Sequence, residues 1–213
     1  QLTGRLCECH NDEPTKGVKP FDKFACGTAI GEGGGILTIE SIDAATQRGA
    51  KVYAHLLATA ASMSVNPEAG GLAPDPAGAG IRAAIANALR KAGLQPNDID
   101  AIVAFGSAIP EYDQAEAKAL ADVFGDALGD IPIWSSKPYI GNCGAGAGGI
   151  DVAIAAKMLA TQQLPATINC TTALDGLNAK TRDTGPAKLN NVLVYSSSLG
   201  GQNVALVLGR ADA

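Results

Sequence analysis

Three stretches of the chain bring together residue types that could do chemistry. Cys7-Glu8-Cys9-His10 sets two thiols and an imidazole within four positions. Thiolate and imidazole are favoured zinc ligands, but a tetrahedral site needs four ligands and this run is one short. The remaining cysteines, Cys26, Cys143 and Cys170, lie far along the chain, so a reduced surface loop is expected there, with no metal. Cys143 stands just before a glycine-rich run, Gly144-Ala145-Gly146-Ala147-Gly148-Gly149. A helix start at that point favours a thiolate, yet a nucleophile also needs a base. The two histidines, His10 and His55, lie in segments with no evident approach to Cys143. A small packing thiol is the simpler reading beside a reactive one.

The same glycine run matches G-x-G-x-x-G. In a dinucleotide fold the first glycine follows a strand directly, and an acid about 20 residues on meets the ribose. Here Ser136 to Asn142 intervene, and the next strand-like stretch, Ala166-Thr167-Ile168-Asn169, ends without an acid. Close packing of a small-residue helix explains the glycines better than a nucleotide, and no cofactor is expected.

The elements that would position these residues alternate in type. Gly33 to Glu40 reads as a strand entered through a flexible turn, and Ser41 as the N-cap of a short helix ending at Gly49. Val52 to Ala61 is a second strand, and Asn66 to Gly80, rich in glycine and proline, a surface loop. Ile81, Ala84, Ile85, Ala88 and Leu89 recur at helical spacing before Gly93. Asp100 to Phe105 is a buried-type strand, followed by a loop to Asp113 and a helix from Gln114 to Phe124. Ile131 to Trp134 is another strand and Gly144 to Ala160 another helix. Asn191 to Ser196 and Asn203 to Leu208, joined across Gly200 and Gly201, read as a hairpin. Strands alternating with helices predict an α/β fold of one domain, a mixed and mainly parallel sheet with helices on both faces. The helix at 144–160 is apolar nearly all round, so a further layer is expected to cover it.

Composition narrows the partners. The 213 residues are 46% hydrophobic but only 4% aromatic, so the core must be built from Ala, Val, Ile and Leu. A net charge of −5 without a Lys/Arg cluster argues against nucleic acid. Asp151 and Lys157 interrupt the most apolar helix, which argues against a membrane span. Five cysteines, an odd number, suggest reduced thiols in a cytoplasm rather than a disulfide framework. The first residue, Gln1, suggests a processed chain or a fragment.

Several separated segments, in collinear order over nearly the whole chain, resemble the C-terminal half of the β-ketoacyl synthase family, which has a thiolase-like fold. Pro20-Phe21-Asp22, Gly31-Glu32-Gly33-Gly34-Gly35 and Arg48-Gly49-Ala50-Lys51-Val52-Tyr53-Ala54 are similar to the family's PFD, GEGAG and RGA-x-IYAE run. Phe105-Gly106-Ser107-Ala108-Ile109-Pro110, with Asp113, Glu116 and Ala117, stands where the family has HGTSTP followed by D and EA. Ser136-Lys137-Pro138-Tyr139-Ile140-Gly141-Asn142 stands at TKS-x-x-GH, and Leu199-Gly200-Gly201-Gln202-Asn203 at the FGGTN turn.

The resemblance also implies what has been lost. The family's cysteine nucleophile comes from an N-terminal half that is not in this sequence. Two histidines donate to the thioester oxygen during decarboxylation; the first falls on Phe105, which has no donor, and the second on Asn142, which can donate. Lys137 and Asp151 fall on the family's lysine and glutamate. Ser197 falls on a bulky gatekeeping phenylalanine, which implies a more open entrance near Gly200 and Gly201. Losing one preorganised oxyanion donor costs roughly 10²–10³ in rate. The resemblance therefore implies a vestigial pocket of Phe105, Lys137, Asn142 and Asp151, and no decarboxylative condensation by this polypeptide. The nearest functional model is the chain-length factor of type II polyketide synthases. Its implied partners are an N-terminal half or ketosynthase subunit, in a homo- or heterodimer, and an acyl carrier protein or acyl thioester. The alternatives are an acyltransferase or condensing enzyme once joined to a half carrying the cysteine, and a stand-alone module that dimerises through its central layer.

Overall fold

The computed structural model describes residues 5–69, 73–198 and 200–211. Its centre is a five-stranded sheet in the order β1-β7-β6-β2-β3. These strands are β1 (His55–Met63), β2 (Ala101–Val103), β3 (Ile133–Trp134), β6 (Asn191–Ser197) and β7 (Gln202–Gly209). A separate short pair, β4 (Gln163–Leu164) and β5 (Gly185–Pro186), lies outside it. β6, β2 and β3 run parallel, while the β6–β7 hairpin and β1 pair antiparallel. The sheet is therefore mixed, with its parallel strands together.

Strand side chains alternate between the two faces, and the core divides accordingly. Ile102, Ala104, Leu193, Tyr195, Ala205 and Val207 meet α2 (Ala79–Ala92) and α3 (Pro110–Phe124) on one face. Ala101, Val103, Val192, Val194 and Leu208 meet Ala155, Met158 and Leu159 of α5 (Ala147–Thr161) on the other. Helices cover both faces, as the alternating elements predict.

Several expectations need correction. Gly33 to Glu40 forms no strand: it pairs with no strand of the sheet, and its glycines pack on the start of α5 instead. Gly33 and Gly35 lie so close to Gly146 and Gly149 that a Cβ at Gly149 would sit 2.6 Å from the Gly35 carbonyl oxygen. The glycine-rich motif thus serves backbone packing. Ser41 does cap α1 (Ile42–Gln47), accepting from the Ala44 N–H at 3.2 Å. β1 starts at His55 rather than Val52, because its partner β7 ends at Gly209, opposite His55. α3 starts at Pro110, four residues before Gln114, since proline fits the first turn, where no N–H is needed. Ala166 to Asn169 forms only an isolated bridge, Thr167 to Arg182. A short helix, α4 (Lys137–Ile140), lies within the stretch from Ser136 to Asn142, to which the sequence assigned no element. The loop between β1 and α2 includes residues 70–72, outside the described set, as is Leu199 of the β6–β7 turn.

Candidate active site

The C-terminal end of β2 opens into a loop whose shape is fixed by buried polar groups. Phe105 is two residues beyond the strand and only 9% exposed. Gly106 follows at φ +46, where a Cβ would meet Phe21 and Ser135 at 2.9 Å. Its N–H donates to Glu116 Oε2 at 3.0 Å, and the Tyr195 hydroxyl donates to the same oxygen at 2.7 Å. Asp113 holds two strained residues at once: Oδ1 accepts from the Ala108 N–H at 3.1 Å and Oδ2 from the Phe21 N–H at 2.7 Å. Both are non-glycine residues in the left-handed region, Phe21 at φ 59 and Ala108 at φ 63. Ser135 Oγ donates to the Gly106 carbonyl at 3.0 Å, tying the loop to the end of β3.

Burial sets the electrostatics of this loop. It lifts Glu116 to about 7, against the favourable bonds from Gly106 and Tyr195 and the attraction of Lys137. Asp113 is also raised, by burial and then by the nearby Glu116 carboxylate. Tyr195 is raised by burial and by Glu116, so it remains a donor.

The second wall is the turn around α4. Lys137 is fully buried, with Nζ 2.8 Å from Asp151 Oδ2 and 5.4 Å from the centre of the Phe105 ring. Ser136 Oγ donates to Asp151 Oδ1 at 2.6 Å. Asp151 comes from the first turns of α5, and so α4 and α5 are clamped together beside β2. Asn142 closes the turn. Its backbone pairs with the extended segment 29–31, through Asn142 N–H to the Ala29 carbonyl (2.7 Å) and Gly31 N–H to the Asn142 carbonyl (3.0 Å). Its Oδ1 accepts from the Gly144 N–H at 3.0 Å. Among the described residues its Nδ2 meets no acceptor and remains available to donate.

The structure joins Phe105, Lys137 and Asp151 in one contact network, with Asn142 at the end of the same short turn. Ser197, Gly200 and Gly201 form a different group. Ser197 Oγ donates to Asn203 Oδ1 at 2.8 Å, and Asn203 Nδ2 donates to the Gly201 carbonyl at 2.8 Å. Ser197 and Gly201 border a small cavity with Ser64, Asp75, Gly78 and Asn203, and neither Phe105 nor Lys137 lines it. Both groups lie at the C-terminal end of the parallel strands, since β2 and β6 run the same way. His55 starts β1 at the opposite end, its ring 3.2 Å from the Ala211 carbonyl. His10 sits beside Glu13 in the N-terminal segment.

Tyr195 escaped the sequence reading. The signal was available: a tyrosine directly after the apolar run Val192 to Val194 must find a polar partner when buried. The distance assumed for Cys26 was also wrong. Its sulfur lies 3.1 Å from Cys7 Sγ, because Thr28 pairs with Leu6 and brings the two segments side by side. Cys143 is half-buried against Gly33, which agrees with a packing role.

Residues 53–171 match the model of the β-ketoacyl synthase C-terminal domain. The chain belongs to the β-ketoacyl synthase family. It is 31% identical over 209 residues to 3-oxoacyl-[acyl-carrier-protein] synthase 2 of Coxiella burnetii, covering 97% of this chain and 50% of that protein. A type II polyketide ketosynthase solved with its acyl-carrier protein superposes with a TM-score of 0.90 at 28% identity, over 99% of this chain and 52% of that one. The ishigamide ketosynthase/chain length factor superposes with a TM-score of 0.82 at 31% identity, over 90% of this chain and 46% of that one. The chain thus spans about half the length of the β-ketoacyl synthases it matches, and its fold is their thiolase-like C-terminal half.

Proposed function

We propose that this β-ketoacyl synthase C-terminal half shapes an acyl site without carrying out decarboxylative condensation by itself. One observation carries the reading: an aromatic ring, Phe105, stands two residues past the end of β2 and faces Lys137 Nζ at 5.4 Å. The family pattern has an imidazole donor at that position, and phenylalanine offers a developing oxyanion nothing. A lost donor of this kind costs roughly 10²–10³ in rate, and proton transfer at that point is lost with it. The buried Lys137–Asp151 pair and the fixed loop support a retained scaffold around the missing group. In this reading the partner is an N-terminal half or a ketosynthase subunit, as in a chain-length factor, and the ligand is an acyl thioester on a carrier protein. The assembly is a homo- or heterodimer working in the cytoplasm; among the described residues no helix is long and apolar enough to cross a membrane.

The free Nδ2 of Asn142 favours a second reading. Joined to an N-terminal half that carries the cysteine, the site retains one oxyanion donor and could transfer acyl groups without decarboxylating malonyl thioester. The test is release of CO₂ from malonyl-acyl-carrier protein, by the isolated chain and by the chain co-expressed with its N-terminal half. No release from either supports the scaffold reading, and release by the isolated chain overturns it. Acyl exchange by the joined protein, without CO₂, assigns the second reading.

A further inference from the structure

Cys7 and Cys26 are 19 positions apart in sequence, yet their sulfurs lie 3.1 Å apart. Two main-chain bonds hold them there: Cys7 N–H to the Thr28 carbonyl and Thr28 N–H to the Arg5 carbonyl, both 2.8 Å. Gly27 makes the approach possible, since a Cβ at that position would be 2.7 Å from the Leu6 carbonyl carbon. A disulfide needs about 2.05 Å between sulfurs, so closure asks for a movement of about 1 Å. Cys9, exposed, also interacts with the Cys26 thiol. Among the described residues no group of three His, Cys, Asp or Glu is arranged to hold a metal ion.

We infer that Cys7 and Cys26 form an oxidisable dithiol that closes to an intramolecular disulfide when it meets a small-molecule disulfide of the glutathione type. The Cys7 thiolate attacks one sulfur of the oxidant and expels the first thiolate, which takes up a proton. The Cys26 sulfur then attacks Cys7 in the mixed disulfide, gives its proton to solvent and expels the second thiolate. Two protein thiols lose two electrons and two protons, and one oxidant disulfide becomes two thiols. Burial and the neighbouring thiols push Cys26 up to about 12. Its attack on the mixed disulfide therefore speeds up as pH rises.

The pair is placed to act on the pocket. The residue after Cys26 donates its N–H to the Ala108 carbonyl at 3.0 Å, and Ala29 and Gly31 bond the backbone of Asn142. A single short segment thus links the dithiol to both walls of the candidate site.

The test treats the whole chain with oxidised glutathione, then counts thiols after denaturation and maps peptides by mass spectrometry. The expected result is loss of two of the five thiols, a mass lower by two hydrogens, and a Cys7–Cys26 linked peptide. Cys9→Ser gives the same product, whereas Cys7→Ser and Cys26→Ser stop at a glutathione adduct or remain reduced. Five free thiols after treatment, a link through Cys9, or protection of all three thiols by copurifying zinc would each overturn the inference. Because the peptide map is made on the unaltered sequence, the result stands even where a serine variant folds poorly.

Discussion

At the residue scale, two buried groups around the pocket make opposite demands. Lys137 and Asp151 neutralise each other at 0% and 1% side-chain exposure, so removing either leaves a buried charge alone. Asp151→Ala is expected to cost about 3–5 kcal/mol in urea unfolding, and Lys137→Met with Asp151→Leu together much less. Glu116 behaves differently because its carboxyl is raised from about 4.5 to about 7. The folded state then holds a proton that the unfolded chain releases near pH 4.5. The stability this gives is fully present below pH 4.5 and is lost as pH rises through 7, by roughly 3 kcal/mol. Unfolding followed from pH 4 to 8 should show that decline, and Glu116→Gln should make it shallower, leaving the part due to Asp113, whose carboxyl burial also raises. A slope of opposite sign would mean that the hydrogen bonds from Gly106 and Tyr195 outweigh burial.

At the element scale, periodicity identified α2 well, because it presents one apolar face to the sheet. Ile81, Ala84, Ile85, Ala88 and Leu89, read as one stripe, are all buried on α2. Extended segments were harder to read. Gly33 to Glu40 has strand-like composition, but a strand needs a partner, and the partner is not encoded locally. Its glycines were in fact matched to glycines more than a hundred positions later. This contact predicts a contrast within one helix. Gly149→Ala places a methyl 2.6 Å from the Gly35 carbonyl oxygen and should cost about 1–3 kcal/mol. Gly148→Ala meets nothing within 4 Å and should gain about 0.5–1 kcal/mol. Paired denaturation curves check both.

At the scale of the whole molecule, the sequence motifs marked the loop after β2 and the α4 turn as one site, and the structure brings Phe105, Lys137 and Asp151 together. They could not reveal that the Ser197 turn borders its own cavity, because motif order carries no distance. The covering of α5 is also only partial here. Ala147, Asp151, Ala155, Met158 and Leu159 are buried, while Ala153 and Lys157 are exposed. Nearby, Ile36, Ile39 and Ile42 are 100%, 71% and 60% exposed. Large apolar side chains exposed in this way favour association, so light scattering should give the isolated chain a mass above its 21.4 kDa. Co-expression with an N-terminal half should replace that self-association with a defined complex. A stable monomer would count against a missing layer.

The carboxylate of Asp113 has a consequence for the order in which the chain becomes native. It grips Phe21 across 92 positions of sequence, and the same side chain keeps Ala108 in its unfavourable conformation. The β2 loop can therefore reach its final form only when the amino-terminal arm docks, a long-range closure that belongs late in folding. Refolding should accordingly show early helix formation by circular dichroism, with amide protection at Phe21 and Ala108 acquired together in the last phase.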